Sequence, residues 1–279
     1  MIKNMNRFFK QIGIFSTVFL MSVAALQAQQ LQKKTYEVVE GKIVGIWPHN
    51  DRFQSQERLK ELKEHWGFNY LLIAAIYGIK EKSLAAQSGF DSDHIIYQVY
   101  LPDFIKNGDS ELQKIRDIGK IWAYYFDEPI SRGHSYLQFL KLISFLSEEE
   151  LYPYAKFIVS ELDEKKAASV LRFVDQITYS GYGNRENLGA DQVKTWSEWQ
   201  SFIGEKFGMP WISAEQDSNE YRILFKAAHD LKFNSIMFYE LEPLPSGQEV
   251  SNSNFEKFCE AAVEFGFMKI KTNDLQQKE

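Results

Sequence analysis

Ile121-Trp-Ala-Tyr-Tyr-Phe-Asp127-Glu128-Pro129 is an apolar, aromatic run that ends in two adjacent carboxylates and a proline. Aromatic residues favour pleated structure, and an apolar block this short is typical of a buried strand. Acids beside a core are costly unless they are paired or take part in chemistry. The stretch therefore predicts a central β-strand with a functional pair of acids, Asp127 and Glu128, at its end.

The rest of the chain repeats one unit, a short apolar strand followed by a helix. The pattern predicts eight strands alternating with eight helices, and the opening stretch is the fourth strand. The predicted strands cover residues 42–47, 69–77, 95–101, 121–127, 154–160, 175–179, 209–214 and 234–240. Their number, and the length of residues 29–279, match the ~250 residues typical of a single (β/α)8 TIM barrel.

An open, doubly wound sheet would show the same alternation of strands and helices. Such sheets usually carry a glycine-rich phosphate-binding turn after the first strand, where this chain has Trp47-Pro-His-Asn50. All seven prolines fall at or between the ends of predicted elements, where a missing amide is tolerated. The α/β fold favoured by the sequence is therefore the closed barrel, formed by residues 29–279.

The first 28 residues have the layout of a secretory signal peptide. Lys3, Arg7 and Lys10 precede a mostly apolar stretch over residues 12–26, and Ala28 offers a small residue for cleavage. The apolar stretch is shorter than the ~20 residues that a membrane-spanning helix needs, which disfavours a membrane anchor. We expect a mature protein that is exported to the periplasm or the cell exterior, without a membrane partner after cleavage.

The charge and the cysteine content exclude several classes of partner. The formal net charge is −6, and cleavage of the signal peptide would remove three positive charges. A chain this acidic is unsuited to nucleic acid or to an anionic membrane. The single Cys259 cannot form an internal disulfide, and the sequence contains neither a CxxC nor an HExxH motif. The sequence therefore predicts no metal site and no cofactor.

In (β/α)8 barrels the active site lies at the carboxyl ends of the strands. These ends carry carboxylates and aromatic rings, and no Lys or Arg stands at a strand terminus. We expect the substrate-binding residues to be Trp47, Tyr77, Tyr100, Tyr179, Tyr182, Tyr239 and Glu240. Aromatic faces stack on sugar rings and carboxylates accept hydrogen bonds from hydroxyls, although any one of these rings can also be a core cap. The rim predicts a neutral or cationic carbohydrate as partner, because a phosphorylated substrate would be repelled.

The geometry of a strand constrains the pair of acids. Successive side chains point to opposite faces, so Asp127 and Glu128 reach one site only if the strand ends at Asp127. Pro129 is expected to hold Glu128 in an extended conformation that aims it upward from the rim. Two other acids, Asp163 and Asp217, precede predicted helices and are interpreted as N-caps.

The sequence Tyr124-Tyr-Phe-Asp-Glu-Pro129 resembles the strand-four signature of TIM-barrel glycoside hydrolases. Its Asp-Glu pair is similar to that of substrate-assisted hexosaminidases and N-acetylgalactosaminidases. That resemblance implies that Glu128 protonates the leaving oxygen while Asp127 orients the acetamido nucleophile of the substrate. A second resemblance, to retaining barrel glycosidases, implies Glu128 as acid/base and Glu215 after the seventh strand as nucleophile. Asp127 stands where that second group normally has an Asn.

The leading hypothesis is an exported glycoside hydrolase that uses carboxylate general acid/base catalysis. The alternative is a non-catalytic carbohydrate-binding barrel protein that kept the fold without turnover. A hydrolase of non-sugar substrates is a third reading that the sequence leaves open. The non-catalytic alternative would use the same aromatic rim as the hydrolase.

Overall fold

The computed structural model describes residues 34–48, 55–74, 79–148, 155–179, 188–214, 216–240 and 251–271. The compact unit that contains the barrel comprises Tyr36–Glu279. Four predicted features lie outside the described residues: the signal peptide (residues 1–28), Tyr77, Tyr182 and Glu215. Over the described ranges, no helix has the length and apolar character needed to cross a membrane.

Eight parallel strands form a barrel, as predicted. A short first strand, β1 (Tyr36–Val38), lies outside it. The barrel strands are β2 (Ile43–Trp47), β3 (Tyr70–Ile73), β4 (Ile95–Val99), β5 (Ala123–Asp127), β6 (Lys156–Glu161), β7 (Gln176–Tyr179), β8 (Trp211–Ser213) and β9 (Ser235–Tyr239). Their spatial order is β7-β6-β5-β4-β3-β2-β9-β8, so consecutive strands are neighbours around the barrel.

The barrel closes between β7 and β8, the two ends of that order. Ile177 forms a parallel bridge with Phe207, and the amide of Gly208 donates to the Ile177 carbonyl at 2.9 Å. The Thr178 hydroxyl donates to the carbonyl of Met209, also at 2.9 Å. These bonds close the sheet, which confirms the barrel and rejects the open doubly wound alternative.

Helices follow the strands and cover the outside of the barrel. They are α1 (Gln56–Glu64), α2 (Ile79–Gln87), α3 (Leu101–Ile118), α4 (Tyr136–Glu148), α5 (Glu164–Val170), α6 (Leu188–Ile203), α7 (Ser218–Asp230) and α8 (Asn252–Glu264). Asp163 caps α5 by accepting from the amide of Lys166 at 3.0 Å. Asp217 and Glu220 form a capping box at the start of α7. The interpretation of both aspartates as N-caps is confirmed.

Two strands are shorter than predicted because a proline ends or delays them. β4 ends at Val99, and Pro102 lies in the first turn of α3, where a missing amide costs nothing. A kink at Asn107 (φ −133°, ψ 35°) divides α3. β8 begins at Trp211 because Met209 has φ 51° and Pro210 has no amide hydrogen.

Side chains of β5 alternate between the helix layer and the barrel interior. Tyr124 and Phe126 contact the ring of Phe157 on the outer side, with centroids 6.0 and 6.1 Å away. The interior cluster consists of Leu72, Ile96, Ala123, Tyr125, Ile158, Met209, Trp211 and Met237. Because Asp127 shares its parity with Tyr125, it faces the barrel axis.

A two-stranded sheet outside the barrel was not predicted. β1 pairs antiparallel with β10 (Met268–Ile270), so the two ends of the described chain are joined. The amide of Tyr36 donates to the carbonyl of His65 at 3.0 Å, and its ring stacks near Trp66. This contact places β1 directly against the end of α1.

We expect Gly67→Ala to lower the free energy of unfolding by roughly 2–4 kcal/mol. Gly67 has φ +75°, and an added Cβ would lie 2.4 Å from the carbonyl oxygen of Tyr36. Gly41 is the matched control, because it has φ +81° but no atom within 4 Å of an added Cβ. Urea unfolding of both variants measures the difference, and an equal loss would mean that β1 does not pack closely there.

Candidate active site

Asp127 and Glu128 lie side by side at the carboxyl end of β5. The strand ends at Asp127, as is required for both acids to reach one site. Their side chains are 14 % and 17 % exposed. The two carboxylates are thus partly shielded from solvent at the end of the barrel where active sites of this fold occur.

The prediction that Pro129 holds Glu128 in an extended conformation is wrong. Glu128 has φ 52°, in the left-handed region. Its amide donates to the Ser160 carbonyl at 3.0 Å, and its carbonyl accepts from the amide of Arg132 at 2.9 Å. The chain therefore turns at Glu128, because these two hydrogen bonds outweigh the local preference of a residue before proline.

Arg132 contacts both carboxylates and was not predicted from the sequence. Its Nη2 lies 2.5 Å from Oδ2 of Asp127, and its Nε lies 3.4 Å from Oε2 of Glu128. The hydroxyl of Tyr100, a predicted site residue at the N-cap position of α3, lies near the guanidinium and raises the pKa of Arg132. Arg132 is five residues past the strand, so a search of strand termini missed it. Its i,i+4 spacing from Glu128 was the available signal.

Two hydroxyl groups hold the other oxygen of Asp127. Ser160 Oγ on β6 and the Tyr125 hydroxyl donate to Asp127 Oδ1 at 3.3 and 3.4 Å. The Tyr125 hydroxyl also lies 2.8 Å from Ser160 Oγ. Both oxygens of Asp127 therefore accept hydrogen bonds, and three consecutive strands, β4 to β6, contribute to the site.

Burial raises the pKa of Asp127, and the neighbouring charge of Glu128 adds to the rise. The Arg132 guanidinium and the hydroxyls of Ser160 and Tyr125 oppose it. Burial disfavours a carboxylate, whereas a cation and hydrogen-bond donors favour it. Asp127 is thus a carboxyl under opposing influences, as is common at functional sites.

Four aromatic rings fill the barrel beneath the carboxylates. Trp47 lies 5.1 Å from Tyr239, 5.7 Å from Trp211 and 6.0 Å from Tyr125, measured between ring centroids. Trp47 and Tyr239 are half-buried, whereas Trp211 and Tyr125 are buried. Tyr125 links the ring cluster to the acids, since its ring packs in the cluster and its hydroxyl bonds Asp127. The structure therefore brings together Trp47, Tyr100, Asp127, Glu128 and Tyr239 of the predicted set, with Tyr239 joined to the acids through the rings.

Two other predicted residues have different surroundings. Tyr179 packs on Trp199 of α6, with centroids 5.1 Å apart, in the helix layer. Glu240 follows β9, is 5 % exposed, and its amide donates to the carbonyl of Trp47 at 3.1 Å. Substrate binding by Tyr179 and Glu240 stays a prediction, as do the roles of Tyr77, Tyr182 and Glu215. Among the described residues, no group of three or more His, Cys, Asp or Glu could hold a metal ion.

The fold is similar to solved barrel enzymes. An endo-β-1,4-mannanase from Thermotoga petrophila has a TM-score of 0.53 at 13 % identity, covering 81 % of this chain and 77 % of that one. An active-site mutant of a β-1,3-glucanosyltransferase from Rhizomucor miehei, in complex with laminaritriose, has a TM-score of 0.54 at 15 % identity, covering 76 % and 91 %. No family model and no curated protein matches the chain. At this identity the likeness shows the barrel fold alone.

Proposed function

We propose that this chain is an exported glycoside hydrolase that uses Asp127 and Glu128. The observation that carries the proposal is the pair of shielded carboxylates above a cluster of aromatic rings, at the carboxyl end of a closed barrel. Acid/base groups and ring-stacking surfaces are what glycosidic bond cleavage requires. The similarity of the fold to two enzymes that act on β-linked glycans adds support. Export rests on the signal-peptide layout of residues 1–28.

Each carboxyl has a role in the proposed reaction. Glu128, as general acid, donates its proton to the glycosidic oxygen while the bond from that oxygen to the anomeric carbon breaks. Asp127, as carboxylate, orients the nucleophile, which the motif resemblance assigns to an acetamido group of the substrate. The acetamido oxygen bonds to the anomeric carbon as the leaving group departs. Glu128 then takes a proton from water as the water oxygen attacks the anomeric carbon and the bond to the acetamido oxygen breaks, which restores the starting state. In the retaining variant of the proposal, Glu215 replaces the acetamido group as nucleophile.

The aromatic residues supply binding in this proposal. Trp47 and Tyr239 are half-buried, so each ring keeps an exposed part on which a sugar face can stack. Tyr100 lies against Arg132 and is positioned to hydrogen-bond a sugar hydroxyl. Tyr77, Tyr179, Tyr182 and Glu240 complete the proposed substrate-binding set.

One observation favours a second candidate, a carbohydrate-binding protein without turnover. The 2.5 Å contact between Arg132 and Asp127 is a tight ion pair of the kind that also occurs for purely structural reasons. In that case the ring cluster would bind the glycan, and the acids would only hold the turn after β5.

Hydrolysis assays distinguish the two candidates. Residues 29–279 are expected to release product from an aryl N-acetylhexosaminide or from an oligosaccharide of a glycan panel, and a thiazoline mimic of the acetamido intermediate should inhibit. Calorimetry on the same panel measures binding independently. Binding without product would establish the second candidate, and hydrolysis without thiazoline inhibition would favour the nucleophile Glu215.

A further inference from the structure

Among the described residues, Arg132 is the one cation that contacts both acids of the site. We propose that Arg132 is a positioning residue that favours the anion of Asp127 and holds its carboxylate toward the barrel axis, beside Glu128 as the proton donor. The inference deepens the proposed function and rests on it for its catalytic part. The electrostatic part concerns the two carboxylates and applies with or without turnover.

The backbone fixes Arg132 in place. After Glu128 the chain forms a single turn, closed by hydrogen bonds from Arg132 N to Glu128 O at 2.9 Å and from His134 N to Pro129 O at 3.2 Å. Glu161, at the end of β6, is fully buried and accepts from the amides of Ile130 and Ser131 at 2.8 and 3.0 Å. The turn is thus bonded to a second barrel strand, so Arg132 starts from a defined position.

The contacts of the two carboxylates are unequal. Asp127 receives the short bond from Arg132 on Oδ2 and the bonds from Ser160 and Tyr125 on Oδ1. A guanidinium has only donors, so Oδ2 cannot carry a proton toward it. Glu128 faces the same guanidinium across a longer 3.4 Å contact. Arg132 therefore favours the anion of Asp127 more than that of Glu128.

The other groups around Asp127 do not replace this charge. Tyr125 on its own strand and Ser160 on β6 are neutral donors, and Tyr100 from the end of β4 contacts Arg132 rather than Asp127. Glu128 can add only negative charge, and Glu161 is directed to the turn amides. Without Arg132, burial and the charge of Glu128 would both raise the pKa of Asp127, with only hydroxyl groups opposing them.

The first test uses Arg132→Gln and needs no turnover. Carbon-13 NMR titration of the side-chain carboxyls should show the midpoint of Asp127 about one to three pH units higher than in the wild type. Arg132→Lys keeps the charge and should restore part of the difference. Arg222→Gln is the matched control, since Arg222 pairs with Glu264 on the surface at 2.8 Å and should leave Asp127 unchanged. An unchanged midpoint for Asp127 in Arg132→Gln would overturn the inference.

The second test follows the pH profile of kcat/KM. The acid limb should move upward in Arg132→Gln by the same amount as the NMR midpoint, with Arg132→Lys between the variant and the wild type. A uniform loss across all pH values, together with a lower Tm, would indicate a structural role and overturn the catalytic part. If the wild type hydrolyses nothing while the NMR midpoint still moves, the proposed function fails and the electrostatic role of Arg132 stands.

Discussion

Glu128→Gln is expected to lower kcat on natural glycosides by about 10²–10⁴-fold, because the amide has no proton to donate to the leaving oxygen. Gln keeps the size of the side chain and its hydrogen-bonding oxygen toward Arg132, so the fold should remain intact. Circular dichroism and the Tm check the fold, and steady-state hydrolysis gives kcat. The surface variant Glu198→Gln is the control, since Glu198 is exposed on α6 and forms a long ion pair with Lys194 at 3.9 Å.

Substrates with different leaving groups test whether Glu128 acts as a general acid. A dinitrophenyl glycoside leaves without protonation, so Glu128→Gln should retain far more activity on it than on an alkyl glycoside. Asp127→Asn should lower both rates, since Asp127 acts on the nucleophile in the proposed mechanism. Equal activity of Glu128→Gln and wild type on the alkyl substrate would remove Glu128 from the mechanism.

Glu81→Met is expected to abolish a pH dependence of stability. Glu81 lies on α2, is 3 % exposed, and its Oε2 has no hydrogen-bond partner among the described residues. Burial raises its pKa from near 4.5 to about 8, and the charge of Lys80 opposes the rise only in part. Between these pH values the folded state keeps a proton that the unfolded chain has lost, so stability falls as pH rises.

The size of this effect follows from the difference between the pKa of Glu81 in the folded protein and in the unfolded chain. Each pH unit costs about 1.4 kcal/mol, so the penalty reaches roughly 5 kcal/mol above pH 8 and vanishes below pH 4.5. Met fills a similar volume without a charge, and we expect Glu81→Met to gain stability over the wild type at pH 8.5 but not at pH 4.5. Urea unfolding at both values measures the change.

A surface acid provides the comparison for Glu81. Glu64 is 63 % exposed and pairs with Lys60 at 3.6 Å, so Glu64→Met should change stability little at either pH. If Glu81→Met and wild type differ by the same amount at both pH values, Glu81 does not titrate between them.

The eightfold series was predictable because each barrel strand is a local apolar block. The ends of the strands were less predictable. Pro102 lies in the first turn of a helix and Pro210 precedes a strand, and the sequence alone does not distinguish these two cases. The pairing of β1 with β10 could not be predicted, because each strand has three residues and its partner is at the other end of the chain. Local patterns reveal elements, whereas long-range pairing depends on the assembled fold.

The site was predictable only where its chemistry is local. Asp127 and Glu128 directly follow an apolar strand, so the sequence shows that two acids lie beside the core. Arg132 approaches them through a turn that Glu161 stabilises from another strand, and the sequence does not show that contact. Tyr179 and Tyr239 both end apolar strands, yet only Tyr239 joins the ring cluster. The two tyrosines lie on opposite faces of the sheet. The Thr178 hydroxyl donates to the carbonyl of Met209 on the next strand segment, and Tyr179, one residue later, lies on the outer side.

The barrel should open more easily between β7 and β8 than between β5 and β6. In the described residues that junction has one bridge, Ile177 to Phe207, whereas β5 and β6 pair along all of Ala123–Asp127. Partial unfolding begins where the fewest backbone bonds must break. A fluctuation that separates β7 from β8 would leave β4, β5 and β6 paired, and with them Tyr100, Asp127 and Ser160. The two carboxylates therefore lie on strands that stay paired when the barrel opens between β7 and β8. The barrel can open locally on one side while the candidate site keeps its geometry.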